Sequence, residues 1–416
     1  MLLEFSCSNH KSIKDKVLFS TLASSDTSFL ERTKSVEGFR VLRSAVIYGA
    51  NGSGKSNFVD AISFVKGMVV NSINHQPGQG VKQTPHKTTG FDSESSYRIQ
   101  FITKGVRYAF GFTLRKMLVV NEYLFFFPNG KQTKIFEREG ESFTTGRSFR
   151  NKLTRCKDVL KSNRLLLSCA ANFSSVKEIE DAYRFFLDDL VIYGDSIQDN
   201  WMQYSLNQMA NDENTKKAVV KLMQSLGLGL MDVLIRIDEA KLDLSAIPPF
   251  LSDEFKNQLV QGTVNAITAK VKYPGFETDL FVEESAGIQK LFGFLCPLID
   301  IIYNEKVLIC DELESGLHEA LVYEILKTFF ATNAEKFAQI VFTTHDTSLL
   351  NLDLFRRDQI WFTEMKNEDR ATDLYSLAEI RNVRKDENYA KGYINGKYGA
   401  IPMLNLSFAD TASNER

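Results

Sequence analysis

Residues 44–69 read SAVIYGANGSGKSNFVDAISFVKGMV, and within them Gly49, Gly54, Lys55 and Ser56 stand in the spacing G-x-x-x-x-G-K-S. These residue types at this spacing cradle phosphate. Glycines let successive backbone N–H groups curl around an anion, and a following helix N-terminus adds partial positive charge. Lys55 would reach the β- and γ-phosphates of a nucleoside triphosphate, and Ser56 would hold Mg2+. Asn51, Gly52, Ser53 and Asn57 complete the loop and its exit. The bland alternative is a glycine-rich turn with a chance lysine. The flanks speak against it. SAVIY reads as a buried strand, and Phe58, Ile62 and Val65 recur at helical spacing, so strand, loop and helix are expected in that order.

Two further stretches could complete a hydrolytic site. In KVLICDELESGLH (306–318) a four-residue apolar strand ends in Asp311-Glu312. Ligands of open α/β sheets gather at the carboxyl ends of strands. Asp311 would bind Mg2+ through water, and Glu312 would polarise the attacking water. In QIVFTTHDTSLL (339–350) a second apolar strand ends just before His345, which could hydrogen-bond a γ-phosphate or the water. A charged turn and a solvated histidine are the alternatives; the phosphate loop upstream favours the functional reading. In EESAGIQKLFGFLC (283–296), Ser285 and Gly287 open an apolar helix, where a serine is by itself an ordinary N-cap.

The order of these motifs resembles that of ABC-type (AAA-class) ATPases of the SMC and Rad-fifty kind, and more closely the short ATPase subunits of bacterial anti-phage defence systems. The resemblance implies an α/β P-loop NTPase of ABC/SMC-head type, a β-hairpin-rich arm and a helical insertion lobe. In that family Ser-x-Gly is the signature motif, so Ser285 and Gly287 would bind the γ-phosphate held by another subunit. It implies ATP and Mg2+ as cofactors, and catalytic roles for Glu312, His345 and Lys55. Lys11, in SCSNHKSIKD, would contact nucleotide phosphates, standing where the family has an arginine; lysine lacks that fork. Asn172, in RLLLSCAANF, would serve as the Mg2+-sensing residue in place of a glutamine. Ser315, Gly316 and His318 would form a dimer-contact loop. The implied function is an ATP-dependent homodimer, or higher homo-oligomer, switching a nuclease-like effector in phage defence. The signature here, ESAGI, lacks the Leu and Gln of transporter cassettes, which argues against a transporter.

Elements must hold these residues in place. The motifs suggest an N-terminal ATPase lobe over 1–165, a helical insertion over 166–265 and a C-terminal ATPase lobe over 266–416. Residues 95–145 alternate in polarity, with Lys104-Gly105 and Pro128-Asn129-Gly130 as turns, and read as hairpins. Residues 174–262 read as helical, broken at Pro248-Pro249. RSFRNKLTRCKDVLKSNR (147–164) holds seven Lys/Arg and one Asp; it would track a nucleic-acid backbone or be a solvated face. The tail YINGKYGAIP (393–402) resembles the family's closing segment and reads as packing.

With 416 residues, 44% apolar and net charge −2, the composition is globular and carries no global field for DNA or an anionic membrane. The apolar run 291–302 is interrupted by Asp300 and too short to span a bilayer. Five scattered cysteines without C-x-x-C fit a reducing cytoplasm and no zinc site. No D-x-D cluster follows His345, so an intrinsic two-metal nuclease is not expected. Two other readings remain: a low-turnover ATP-binding sensor or scaffold, and an SMC-like DNA-repair ATPase, which the absence of a long coiled coil disfavours.

Overall fold

The computed structural model describes residues 1–194, 198–241, 263–332, 336–351, 353–384 and 387–401. The chain forms two compact units, Met1–Tyr193 with Asn304–Leu313 and Phe329–Arg416, and Gly194–Tyr303 with Glu314–Thr328. The sequence-based seams at 165 and 265 fall inside these units.

The first unit begins with β1 (Leu2–Ser8) and β2 (Val17–Ser20), then a small hairpin of β3 (Thr33–Val36) and β4 (Phe39–Leu42). Next come β5 (Ser44–Tyr48) and α1 (Lys55–Asn71), the expected strand, loop and helix. Five strands follow: β6 (Ser95–Thr103), β7 (Val106–Arg115), β8 (Leu118–Phe126), β9 (Thr133–Glu139) and β10 (Ser142–Thr145). Both expected turns are present, at Lys104-Gly105 and at Pro128–Gly130. These strands join β1 and β2 in an antiparallel sheet ordered β10-β9-β8-β7-β6-β1-β2. After α2 (Cys156–Val159), α3 (Leu166–Phe173) and α4 (Lys177–Arg184), a π-helical turn leads into β11 (Leu190–Tyr193).

The second unit holds α5 (Gln198–Asn211), α6 (Glu213–Ser225), β12 (Asp232–Lys241), β13 (Thr263–Tyr273), β14 (Phe276–Asp279) and α7 (Ala286–Tyr303). The chain returns to the first unit for β15 (Val307–Cys310), gives most of α8 (Glu319–Thr332) to the second, and ends in the first with β16 (Gln339–Thr343), β17 (Ile360–Met365), β18 (Thr372–Ser376) and α9 (Tyr389–Ile394). The second sheet of the first unit has the order β11-β15-β16-β5-β17-β18, parallel except for the β17–β18 pair.

Two stretches expected to be helical are strands. LVIY becomes β11, an edge strand pairing in parallel with β15. DVLIRI becomes β12, which pairs antiparallel with β13 from Asp232↔Lys272 to Lys241↔Thr263. Val233, Ile235 and Ile237 turn inward while Leu234 and Arg236 are exposed, a period of two that β-branched residues favour. The rest of the expected helical run, 242–262 with Pro248-Pro249, lies outside the described residues.

Helix α1 shares one core with the antiparallel sheet. Phe58, Ile62, Val65 and Met68 pack with Phe5, Phe101 and Ile47, and Phe58 meets Phe5 edge-on at 5.7 Å between ring centroids. Burying such a side chain contributes about 1.5–3 kcal/mol, so the helix start is held by several kcal/mol of packing. In the second unit α7 is the core helix. Trp201 stacks on Phe294, and the Ser205 hydroxyl donates to the Gly293 carbonyl at 2.8 Å. Among the described residues α7 is the one helix long and apolar enough to cross a membrane, and most of that stretch is buried in the protein.

Candidate nucleotide site

The order β15-β16-β5 brings three motifs to one edge of the parallel sheet. The phosphate loop leaves the carboxyl end of β5, Asp311 follows β15, and His345 follows β16 by two residues. A cavity of about 410 Å³ opens there, lined by Asn51, Gly52, Gly54, Lys55, Ser56, Asn57, Glu312 and His345.

The loop's shape follows from its glycines and from strands far away in sequence. Gly54, the residue before α1, has φ 108°, which side-chain-bearing residues rarely adopt. A Cβ there would also meet Thr372 Cγ2 at 2.7 Å. The Thr372 hydroxyl donates to the Ser53 carbonyl at 2.9 Å. The Ser53 hydroxyl pairs with that of Thr363 at 2.6 Å. Thus β17 and β18 brace the loop from outside, and Ser53 spends its side chain there. Neither Ser53 nor Gly49 lines the cavity.

Lys55 is 5% exposed, and its ammonium donates to the carbonyls of Gly49 at 2.9 Å and Ala50 at 3.3 Å. The side chain therefore curls over the loop it belongs to. Asn57 donates to Ser12 Oγ at 2.6 Å, and Ser12 in turn pairs with Thr372 at 2.7 Å.

Thr343 organises the carboxylates. Its hydroxyl donates to Asp311 Oδ1 at 2.6 Å and accepts the Glu312 N–H at 2.8 Å. Glu312 has φ 48°, a left-handed backbone uncommon for glutamate. Its carboxylate lies 4.0 Å from His345 Nε2, with the side chains 42% and 37% exposed. A carboxylate and an imidazole at this separation, both open to the cavity, can share a water between them. The oxygen donors of Ser56 and Asp311 are of the type Mg2+ prefers. Among the described residues no group of three or more His, Cys, Asp or Glu could hold a metal alone; a cation here would need phosphate oxygens as well.

Two residues expected in the site do not line this cavity. The Lys11 ammonium is 2.8 Å from Asp60 Oδ2, an acceptor on α1 that also takes the hydrogen bond of His10 Nε2 at 2.8 Å. Lys11 is thus neutralised within the protein and does not line the cavity. Asn172 is exposed on α3, and its amide donates to the Ser168 carbonyl one turn back. It too is absent from the cavity wall. The sequence reading missed Thr343, Thr363 and Thr372. Thr343 had a signal, being in the same TTHD run as His345; the other two lie over 300 residues from the loop they touch and carried none.

In the second unit the Ser-x-Gly motif is built as a helix start. Ser285 is exposed, and its Oγ accepts the Ile288 N–H at 3.4 Å. Glu284 accepts from Tyr273 at 3.0 Å and Thr278 at 2.5 Å, anchoring the approach to the helix. A Cβ on Gly287 would lie 2.8 Å from the Gly316 carbonyl, so this position admits only glycine without displacement. Lys290 donates to the Ser315 carbonyl at 2.5 Å. The motif and the Ser315-Gly316 loop are therefore one packed piece.

Among solved structures, the chain is similar to an SMC head bound to the C-winged helix domain of ScpA, with 14% identity, TM-score 0.44, and coverage of 90% of this chain and 97% of that one. It is also similar to the SMC head domain from Thermotoga maritima, with 13% identity, TM-score 0.41, and coverage of 90% and 98%. A third is the Pyrococcus furiosus SMC head with an extended coiled coil bound to the C-terminal domain of ScpA, with 12% identity, TM-score 0.39, and coverage of 90% and 96%. No curated protein matches the chain. A family profile does match, over residues 44–155 and 203–351, more than half of the chain and including the phosphate loop, Ser285, Asp311, Glu312 and His345. The chain belongs to the family described as AAA domain, putative AbiEii toxin, Type IV TA system.

Proposed function

We propose that this protein is a Mg2+-dependent ATPase that dimerises around ATP and acts as a nucleotide-driven switch on a nuclease-like effector in anti-phage defence, in the cytoplasm. The observation that carries the catalytic part is a cavity lined together by Lys55, Ser56, Glu312 and His345. The loop N–H groups and Lys55 bind the β- and γ-phosphates. Ser56 and Asp311 would hold Mg2+, which neutralises triphosphate charge. Glu312 accepts a proton from the water that attacks the γ-phosphorus as the bond to the ADP oxygen breaks. His345 orients that water or the γ-phosphate. Family membership, in a toxin–antitoxin description, supports a defence role exercised with a partner. The five free, buried cysteines support a reducing compartment.

The test is ATP binding and turnover in wild type, Lys55→Ala and Glu312→Gln. Lys55→Ala is expected to lose binding. Glu312→Gln is expected to retain ATP while turnover falls at least ~100-fold. Equal turnover in wild type and Glu312→Gln would remove Glu312 from the reaction. Turnover near zero in wild type, even with candidate partners added, would favour the sensor reading.

A second reading has its own observation. Arg147, Arg150, Lys152, Arg155, Lys157 and Lys161 are all exposed. Among the described residues none of them pairs with a carboxylate, whereas exposed cations elsewhere do, as in Lys134–Glu137 and Arg184–Glu180. Unpaired cations at this density suit a nucleic-acid backbone. Binding to a DNA or RNA duplex that is absent at 50 mM salt would end this reading.

A further inference from the structure

The closing segment of the described chain touches the phosphate loop. The Ala50 N–H, second in the loop, donates to the Ala400 carbonyl at 3.0 Å. The same carbonyl accepts the Tyr393 hydroxyl at 3.0 Å, and the Ala400 N–H donates to Glu364 Oε1 at 3.3 Å. One residue is thus held through both its backbone groups, its N–H by β17 and its carbonyl by α9 and the loop. Ala400 has φ 58°, a left-handed conformation that a residue with a Cβ adopts only when its surroundings impose it. Here the three hydrogen bonds impose it.

Aromatic packing fixes the rest of the segment. Tyr393 stacks on Phe362 of β17, with centroids 5.5 Å apart, and sits 5.8 Å from Tyr48 at the end of β5. The Tyr375 hydroxyl of β18 donates to the Tyr398 carbonyl at 2.8 Å. Tyr48 carries the contact onward, donating to the Asp346 carbonyl at 3.2 Å, next to His345. The segment therefore braces the loop at its first turn and the strand end behind it. An N–H spent on Ala400 is not offered to a phosphate; it is the anchor from which the remaining loop N–H groups turn toward the cavity.

We propose that Tyr389–Ile401 is a positioning element for the phosphate loop, in which Ala400, held by Glu364 and Tyr393, sets the direction of the Ala50 peptide and so the loop's readiness for a triphosphate. The proposal rests on the nucleotide reading of the loop. Glu364, Tyr393 and Ala400 are positioning residues: none lines the 410 Å³ cavity, and Glu364 and Ala400 line a separate one of about 550 Å³ beside the loop.

The experiment compares wild type with Tyr393→Phe, Glu364→Ala and Glu364→Gln in two measurements. Hydrogen exchange of the phosphate-loop peptide, without nucleotide, reads the Ala50 anchor directly. ATP affinity and kinetics read its consequence. Tyr393→Phe and Glu364→Ala are expected to speed exchange of the loop peptide and to raise the KM for ATP about three- to ten-fold, with kcat little changed. Glu364→Gln keeps an acceptor for the Ala400 N–H and is expected to match wild type in both. Loop exchange and KM unchanged in Tyr393→Phe and Glu364→Ala would overturn the proposal, as would Glu364→Gln behaving like Glu364→Ala. If wild type fails to bind ATP while loop exchange still responds to the variants, the anchor stands and the nucleotide reading falls.

Discussion

Asp60 lies one helical turn beyond Ser56 and accepts hydrogen bonds from two side chains of the β1–β2 connection, His10 and Lys11, each at 2.8 Å. Partial burial works against its carboxylate, but the hydrogen bonds from His10 and Lys11 outweigh that, and it titrates at about 2. A carboxylate whose folded pKa is depressed contributes stability above its unfolded value, near 3.8, and loses it as pH falls toward the folded one. Wild type is therefore expected to unfold at a higher temperature than Asp60→Asn at neutral pH, with the gap closing between pH 4 and pH 2. Melting curves across that range check it; a gap independent of pH would mean the charge on Asp60 contributes nothing. The residue scale is also where single-sequence reading reaches least far. Lys11 folds against Asp60, and nothing in one sequence says which of several carboxylates it will meet. Asn172 is likewise satisfied locally, on its own helix.

Elements were legible where one periodicity dominates. The hairpins of β6 to β9 alternate cleanly and end in turn residues, and α1 repeats its apolar face, so both were found. The stretch after α6 mixes signals. Its Val233, Ile235 and Ile237 alternate, yet it continues a helical run, and pairing with β13 decides the outcome. Helix α3 depends on a partner no local pattern reveals. Its first N–H groups, of Leu166 and Leu167, are capped by buried Glu122 at 2.6 and 2.8 Å, and Glu122 pairs with buried Arg138 at 3.2 Å. The basic segment is an element-scale feature as well. Phe149, Leu153, Cys156 and Leu160 are buried at helix-like intervals while the cations between them face solvent. If it binds nucleic acid, Arg150→Glu with Arg155→Glu should weaken binding to all sequences alike. It should also reduce the salt slope by about one per lost contact, measured by fluorescence anisotropy against ionic strength. Phe149 is buried and offers no face to a base, so sequence preference is not expected.

For the whole molecule, the phosphate loop belongs to one compact unit and the Ser-x-Gly helix to the other. The dimer proposed above requires Ser285 and Gly287 of one copy to meet the nucleotide held by another. Light scattering with ATP and Mg2+ should show a rise in mass for Glu312→Gln, and no rise when Ser285→Arg is added to it. That substitution puts a bulky side chain on an exposed helix start and leaves the cavity of the first unit untouched, so ATP binding by the monomer should survive. An undiminished rise would reduce Ser285 to a helix cap.

By itself the sequence determined the chemistry on offer and the local frame that presents it. The G-x-x-x-x-G-K-S spacing, the apolar strands ending in Asp311-Glu312 and before His345, and the Ser-x-Gly helix start are all short-range patterns, set by backbone freedom and periodicity within a dozen residues. Tertiary structure alone decided which groups those motifs would touch. Thr343 on the carboxylates, Thr363 and Thr372 behind the loop, Asp60 on Lys11 and Ala400 on Ala50 are contacts between strands and segments that pairing brings together from far along the chain. A hydrogen bond recognises only donor, acceptor and distance, and distance across a fold is not written in any one stretch of the chain.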